Sequence, residues 1–312
     1  MKIVFMGTPE FAVPSLDILL KNNYDIVGVV TVPDKRKGRG RTMQYSDVKK
    51  YALEKNLSLL QPEKMKDLTF IKEIENLQPD LIVIVAFRIL PREIFSIPKY
   101  GSFNLHGSLL PKYRGAAPIN WALINGEKET GVTTFFLKET VDTGNIILQT
   151  KIPINDDDDA GIIHDKLSYI GAETVLETVK LIEKGNVNVT YQDDSLASPA
   201  QKIFKEDCKI DWKQDSIKIY NFIRGLSPYP ASYTYLDNKI IKIYKSRLTN
   251  RQVTSSPATI HIEDKKLFVN TNDSMIEILE LQPEGKKRMS ANDFINGILK
   301  NKPPNTIATF SN

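Results

Sequence analysis

Residues 104 to 118 read Asn-Leu-His-Gly-Ser-Leu-Leu-Pro-Lys-Tyr-Arg-Gly-Ala-Ala-Pro, and Val141-Asp142-Thr143-Gly144 follows after about 25 residues. An amide, an imidazole and a carboxylate are thus each set beside a tight turn. If Leu105 lies at the end of a strand, Asn104 and His106 project from one face, because strand side chains alternate with period two. That face then carries a neutral hydrogen-bond donor next to a ring that titrates near neutral pH.

Each of these residues also has a plainer explanation. The chain has three histidines; His164 falls inside a helical pattern and His261 inside a strand, and both read as structural. A strand-end histidine such as His106 fits a structural role as well when taken alone. Asp142 fits a turn cap, since aspartate bonds its own backbone at such positions. Asp-Thr-Gly also occurs in aspartic proteases, but that chemistry needs two carboxylates sharing a proton, and the chain has one such triplet. The run Asp156 to Asp159 precedes a helical pattern whose positive N-terminal end favours acidic residues; it reads as a helix start, and no metal site is expected. Cys208, the single cysteine, has no partner for an internal disulfide and no nearby histidine for a metal site.

The elements that must position these groups follow from the apolar pattern. Lys2 to Met6, Asp25 to Val30 and Leu81 to Ala86 read as strands, alternating with helical patterns through Leu16, Leu19 and Leu20, from Ser46 to Asn56 and from Arg92 to Ser96. Such alternation predicts βαβ units and a mostly parallel sheet covered on both faces. Strands Thr130 to Leu137 and Asn145 to Pro153 flank the Asp142 turn, and a long helix, about Ala160 to Lys184, follows. Gly7-Thr8-Pro9 stands where a dinucleotide-binding turn would show GxGxxG and supplies one of those glycines, so NAD binding is not expected. Residues 185 to 205 are polar and mixed and read as a connection. Beyond it come a short helix, Ser216 to Leu226, then short strands at close spacing and a helix from Ala291 to about Leu299, a pattern that suggests a small barrel.

A length of 312 residues with 41% hydrophobic composition suits two domains with real cores. No secretory signal is visible, and the longest apolar run, Leu81 to Phe87, falls far short of the ~20 residues of a membrane helix. A cytoplasmic protein with no membrane partner is expected. Net charge is +4; residues from 206 onward carry 16 Lys and Arg against 12 Asp and Glu, which accounts for all of it. A local cluster at Lys35-Arg36-Lys37-Gly38-Arg39-Gly40-Arg41 puts five basic residues within seven positions. It follows the second strand, near the end of the sheet where ligands bind in open α/β folds, and suits a phosphate backbone.

The run at 104 to 118 with the Asp142 turn closely resembles the signature NxHxSLLPxYRGxxP followed by DTG of the folate-dependent formyltransferases. The resemblance covers roughly residues 1 to 300, from Gly7-Thr8-Pro9-Glu10-Phe11 to Leu281-Gln282-Pro283-Glu284-Gly285-Lys286-Lys287-Arg288-Met289, and is strongest to the branch that formylates the methionyl group of initiator tRNA. It implies a Rossmann-like catalytic domain at 1–187, a linker at 188–205 and an OB-like tRNA-binding barrel at 206–312. It implies transfer of the formyl group of 10-formyltetrahydrofolate to the α-amino group of methionyl-initiator tRNA, by a monomer with no metal and no DNA partner. On this resemblance Asn104 and His106 stabilise the developing oxyanion, while Asp142 orients His106 and removes the proton. Ser108, Leu109, Leu110, Pro111, Ile89 and Leu90 line the folate site. Lys37, Arg39 and Arg41 meet the tRNA acceptor stem, Arg39 falling on the arginine of a PDxxxGRGxxxxxS loop, and Lys286, Lys287 and Arg288 add contacts.

Two departures stand out. Tyr45 and Asp47 replace prolines common in the family, and Val85-Ala86-Phe87-Arg88-Ile89-Leu90-Pro91 is one residue shorter than V-A-Y-G-x-I-L-P and lacks its glycine. The nearest alternative is a formyltransferase acting on a UDP-amino sugar, which is similar in length but lacks the glycine- and arginine-rich loop. A catalytically silent RNA-binding protein is disfavoured because all three reacting side chains are present.

Overall fold

The computed structural model describes residues 1–37, 42–299 and 309–311. Two compact units form, one from Met1–Ala116, Glu129–Ile152 and His164–Ala200, the other from Ala117–Lys128, Pro153–Ile163 and Gln201–Asn312.

In chain order the first unit begins β1 (Lys2–Gly7), α1 (Val13–Lys21), β2 (Asp25–Val30), β3 (Lys35–Lys37), β4 (Thr42–Gln44), α2 (Asp47–Glu54), β5 (Leu59–Leu60), α3 (Leu68–Leu77), β6 (Leu81–Val85), α4 (Arg92–Phe95), β7 (Ser102–His106) and β8 (Arg114–Gly115). After α5 (Pro118–Ile124), which belongs to the second unit, come β9 (Glu129–Phe136), β10 (Ile146–Pro153), α6 (Ala160–Glu183) and β11 (Pro199–Ala200). All five side chains of β6 are buried, as a strand covered on both faces requires.

The main sheet has the order β10-β9-β7-β6-β1-β2-β5. Its pairs β1/β2, β1/β6, β2/β5 and β6/β7 are parallel, and β7/β9 is antiparallel. This is the expected Rossmann-like, mostly parallel sheet. From β1 the chain winds outward through β2 to β5, then returns to the other side of β1 with β6. Reversals of this kind open a crevice at the carboxyl ends of the strands. Gly7 closes β1 there: a Cβ would lie 2.8 Å from the Ala12 Cβ and 3.1 Å from the Val85 carbonyl oxygen. Its glycine thus serves close packing. Side-chain caps fix the helices that cover the sheet, with Ser46 Oγ accepting from the Lys49 N–H at 3.1 Å and Asp67 Oδ1 from the Thr69 N–H at 2.8 Å.

The second unit contains α5, then α7 (Ser216–Leu226), β12 (Ser232–Leu236), β13 (Lys239–Leu248), β14 (Ile260–Glu263), β15 (Lys266–Asn270), β16 (Met275–Pro283), β17 (Met289–Ser290) and α8 (Ala291–Gly297). Its antiparallel sheet has the order β12-β13-β16-β15-β14, with β17 beside β16. The segment Thr309–Ser311 joins the two edges: Ser311 and Tyr235 exchange backbone hydrogen bonds of 2.9 and 3.1 Å, and the Phe310 N–H donates to the Ala258 carbonyl at 3.0 Å. An edge left unpaired would expose its donors and acceptors. Phe310 is buried and stacks on Trp212 with ring centroids 5.6 Å apart. The expected OB-like barrel core is therefore sealed by residues close to the end of the chain.

Helix α5 packs on α7, and Asn120 Nδ2 donates to the Gly225 carbonyl at 2.7 Å. Asp159 caps α6, its Oδ1 accepting the Ile162 N–H at 2.9 Å, which gives the aspartate run the helix-starting role expected of it. Asp159→Ala should cost about 1 kcal/mol; a thermal midpoint equal to that of the parent protein would contradict the cap. Among the described residues, no helix is long and apolar enough to cross a membrane.

Candidate active site

Strand β7 brings Asn104 and His106 to one face, with Asn104 opposite Ile84 of β6 and Phe135 of β9, and His106 opposite Thr133 of β9. His106 is 6% exposed, and its Nε2 lies 2.8 Å from the Tyr113 carbonyl oxygen. A carbonyl only accepts, so Nε2 carries a hydrogen, and in the neutral ring Nδ1 is left as an acceptor. Nδ1 stands 3.9 Å from Asp142 Oδ2, beyond direct hydrogen-bond range but close enough for both atoms to face one guest. The Tyr113 carbonyl is thus what orients the ring directly. Asn104 is half-buried, and its side chain makes no hydrogen bond among the described residues, so its amide is available as a donor.

The Asp142 turn has its own local causes. Asp142 sits at φ +57°, a left-handed conformation that Asp and Asn tolerate better than most residues, and its Oδ2 accepts the Gly115 N–H at 2.9 Å. Gly144 cannot be replaced, because a Cβ there would lie 1.6 Å from the Phe136 carbonyl oxygen. The carboxylate side chain is only 12% exposed, which keeps its charge in a poorly solvated place.

The turn after β7 is held by its own polar groups and by Thr133 of β9. Ser108 Oγ donates to the Lys112 carbonyl at 2.7 Å, and Thr133 Oγ1 donates to the Ser108 carbonyl at 2.7 Å while accepting the Leu110 N–H at 3.1 Å. Leu110 packs in the core with Phe135 and Ile146. Ser108 and Leu110 therefore build the turn with their side chains, whereas Leu109 and Pro111 are only half-buried. Val85 pairs with Leu105, so the segments containing Ile89 and the turn leave neighbouring parallel strands at the same end. Ile89 is 73% exposed while Leu90 is 6% exposed and joins the core beside Ile94. Arg88 is spent on the carbonyls of Glu63 and Pro62, at 3.0 and 2.7 Å, and burial holds its guanidinium below the usual arginine range.

Arg39 and Arg41 lie outside the described residues. Lys37 ends β3, which pairs antiparallel with β4 from Lys35↔Gln44 to Lys37↔Thr42. The base of this strand pair is tied by a polar network. Lys49 Nζ donates to Asp34 Oδ2 at 2.6 Å and Gln61 Oε1 at 2.9 Å, and Gln61 Nε2 donates to the Val32 carbonyl at 2.8 Å and Asp34 Oδ1 at 3.0 Å. Tyr45 lies under Lys49 Nζ, 4.2 Å from ring centroid to nitrogen. The Lys49 hydrogen bond, followed by that of Gln61, holds the Asp34 carboxyl below its usual range. A depressed folded-state pKa gives stability that is complete above about pH 4 and lost as pH falls through the folded value. The gap in thermal midpoint between the parent protein and Asp34→Asn should therefore narrow in acid; a gap independent of pH would contradict this. In the second unit Arg288 is engaged by Glu280, with its guanidinium 4.4 Å from the centroid of the Tyr244 ring, while Lys286 and Lys287 are exposed.

Comparison with known proteins gives a consistent answer. A family profile described as "Formyl transferase" matches residues 1–179, and one described as "Formyl transferase, C-terminal domain" matches residues 202–299. The chain is 48% identical over 307 residues to a methionyl-tRNA formyltransferase of Bacteroides fragilis, covering 95% of each chain. It is 48% identical over 303 residues to the protein of that name from Flavobacterium johnsoniae, covering 96% of each. Among solved structures it resembles an N-formyltransferase from Helicobacter canadensis in complex with folinic acid and dTDP-3-aminofucose, at 26% identity and a TM-score of 0.68, covering 91% of this chain and 99% of that one.

Proposed function

The chain belongs to the formyl transferase family, and from that premise we propose that it transfers the formyl group of 10-formyltetrahydrofolate to the α-amino group of methionyl-initiator tRNA. The products are N-formylmethionyl-tRNA, used in translation initiation, and tetrahydrofolate. The observation that carries the proposal is the constellation at the end of β7: an Asn104 amide with no partner among the described residues, and His106 Nδ1 and Asp142 Oδ2 set 3.9 Å apart. Relatives 48% identical over nearly their whole length bear that name, and the basic run at 35–41 supplies charge suited to an acceptor stem.

The residues divide the work. Asn104 donates to the formyl oxygen as it gains negative charge under attack by the neutral amine. His106 adds a second donor at Nδ1 when the ring carries hydrogens on both nitrogens, its Nε2–H remaining on the Tyr113 carbonyl and Asp142 balancing its charge. Such preorganised donors are worth about 3 to 4 kcal/mol each in a water-poor site. Asp142 takes the proton from the attacking nitrogen, directly or through one water, as the new C–N bond forms. The bond to the folate nitrogen then breaks and that nitrogen gains a proton. The exposed apolar side chain of Ile89, with Leu109 and Pro111, suits the folate ring system, while Ser108, Leu110 and Leu90 support that wall from within.

In this proposal residues 1–187 perform the chemistry, 188–205 connect, and 206–312 grip the tRNA, with Lys37, Arg39 and Arg41 meeting the acceptor end. The protein acts as a monomer in the cytoplasm, where initiator tRNA is charged. Formyl-labelled folate incubated with the enzyme and methionyl-initiator tRNA should yield label bound to the aminoacyl group. Folate turnover that leaves the tRNA unlabelled would instead point to transfer to water.

A further inference from the structure

We propose that Gln192 is a positioning residue that holds Asp142 in its reactive geometry, and that Arg114 holds Gln192. This rests on the assignment of Asp142 above. Gln192 Nε2 donates to the Asp142 carbonyl at 2.9 Å and to the Gly144 carbonyl at 2.8 Å, bracketing the turn. Its Oε1 accepts from Arg114 Nε at 3.0 Å and Nη2 at 2.7 Å. Both amide hydrogens and both oxygen lone pairs are therefore used. The amide has one tolerable orientation, since turning it over would set its oxygen against two carbonyls and its NH₂ against a guanidinium.

The turn needs such a hold. Asp142 occupies a left-handed conformation at φ +57°, which in a non-glycine residue persists only where surroundings over-determine it. Gly115 fixes the carboxylate and Gln192 fixes the carbonyl of the same residue. Arg114 adjoins Gly115 in β8, so both restraints originate at one point of the chain. Its Nη2 also donates to Asp194 Oδ1 at 2.7 Å, and its backbone N–H to the Ser198 carbonyl at 2.9 Å. Beside it, β11 pairs with β8, and the Tyr113 N–H donates to Ser198 Oγ at 2.9 Å. The polar segment at 185–205 thus reaches both Tyr113, whose carbonyl orients His106, and the Asp142 turn. A displacement of about 1 Å in a reacting group can cost up to ~10²-fold in rate.

Gln192→Met removes every polar interaction at similar length, whereas Gln192→Glu keeps the acceptor for Arg114 and places an oxygen against the two turn carbonyls. Each should lower kcat at least about tenfold, with KM for folate and for tRNA changed less than about twofold when activity is referred to folded enzyme. The acidic limb of the pH-rate profile should move to higher pH in Gln192→Glu, because an added negative charge disfavours an ionised carboxylate in the site. It should stay near its original position in Gln192→Met. A merely structural glutamine would lower the thermal midpoint and leave both kcat per folded molecule and that limb unchanged. Wild-type kcat in Gln192→Met alongside an inactive Asp142→Asn would overturn this proposal alone. An active Asp142→Asn would overturn the assignment of Asp142 and this proposal with it.

Discussion

Replacing His106 by alanine is expected to lower kcat for formyl transfer by about 10²- to 10³-fold, the usual cost of removing one preorganised donor to a developing oxyanion. The ring is buried and fixed by the Tyr113 carbonyl, so it needs no reordering when charge appears. Donors aimed in advance favour the transition state over the bound substrate, and such groups affect kcat more than KM. Asn104→Ala should fall in the same range, because its amide has no other partner among the described residues. The double variant should be less impaired than the product of the two effects, since both act on one oxygen. Single-turnover rates with saturating folate and tRNA would check this. Near-normal turnover in His106→Ala would remove the ring from the chemistry and leave its burial as simple packing.

Arg39→Ala is expected to reduce kcat/KM for methionyl-tRNA by about 10²-fold, in line with the 2 to 5 kcal/mol typical of truncating a hydrogen-bonded charge at an interface. A slow transfer to a small amine or to water should be nearly unchanged. The expectation comes from charge and from the described residues on either side of 38–41: β3 pairs with β4, and the Asp34–Lys49–Gln61 network anchors their base. Neutralising Lys35 and Lys37 should chiefly flatten the salt dependence of tRNA affinity, by roughly one unit of log-log slope for each phosphate that is no longer neutralised. Equal slowing of the tRNA and non-tRNA reactions by Arg39→Ala would make the loop part of the chemical site. Recognition of tRNA would then have to rest on other residues.

What the sequence revealed, and what it concealed, follows from the kind of signal each feature carries. Apolar runs such as Leu81–Val85 announce a doubly covered strand, and period two alone puts Asn104 and His106 on one face. Asp142 is marked by a turn whose residue types have few other uses. Helix α5 was not legible, because Pro118–Ile124 is short and groups with the second unit through α7, about 100 residues further on. The hold of Tyr113 on His106 was hidden for another reason: it is made by a backbone carbonyl, which every residue type possesses. Gln192 stands in a polar stretch without periodicity, so nothing in its neighbourhood distinguishes a clamp from a connector. Ile89 and Leu90 are both apolar neighbours, yet one is exposed and the other is core. Pattern cannot separate them where the chain leaves the strand and loses its period.

The central claim is the identity of the acceptor. It is tested most directly by offering one enzyme preparation equal amounts of methionyl-initiator tRNA, a nucleotide-linked amino sugar and glycinamide ribonucleotide, with labelled 10-formyltetrahydrofolate limiting. The label should accumulate on the methionyl-tRNA and fail to do so when the methionine amine is blocked beforehand. Label appearing first on the amino sugar, with the tRNA untouched, would contradict the account and transfer this chain to the sugar-modifying branch of its family.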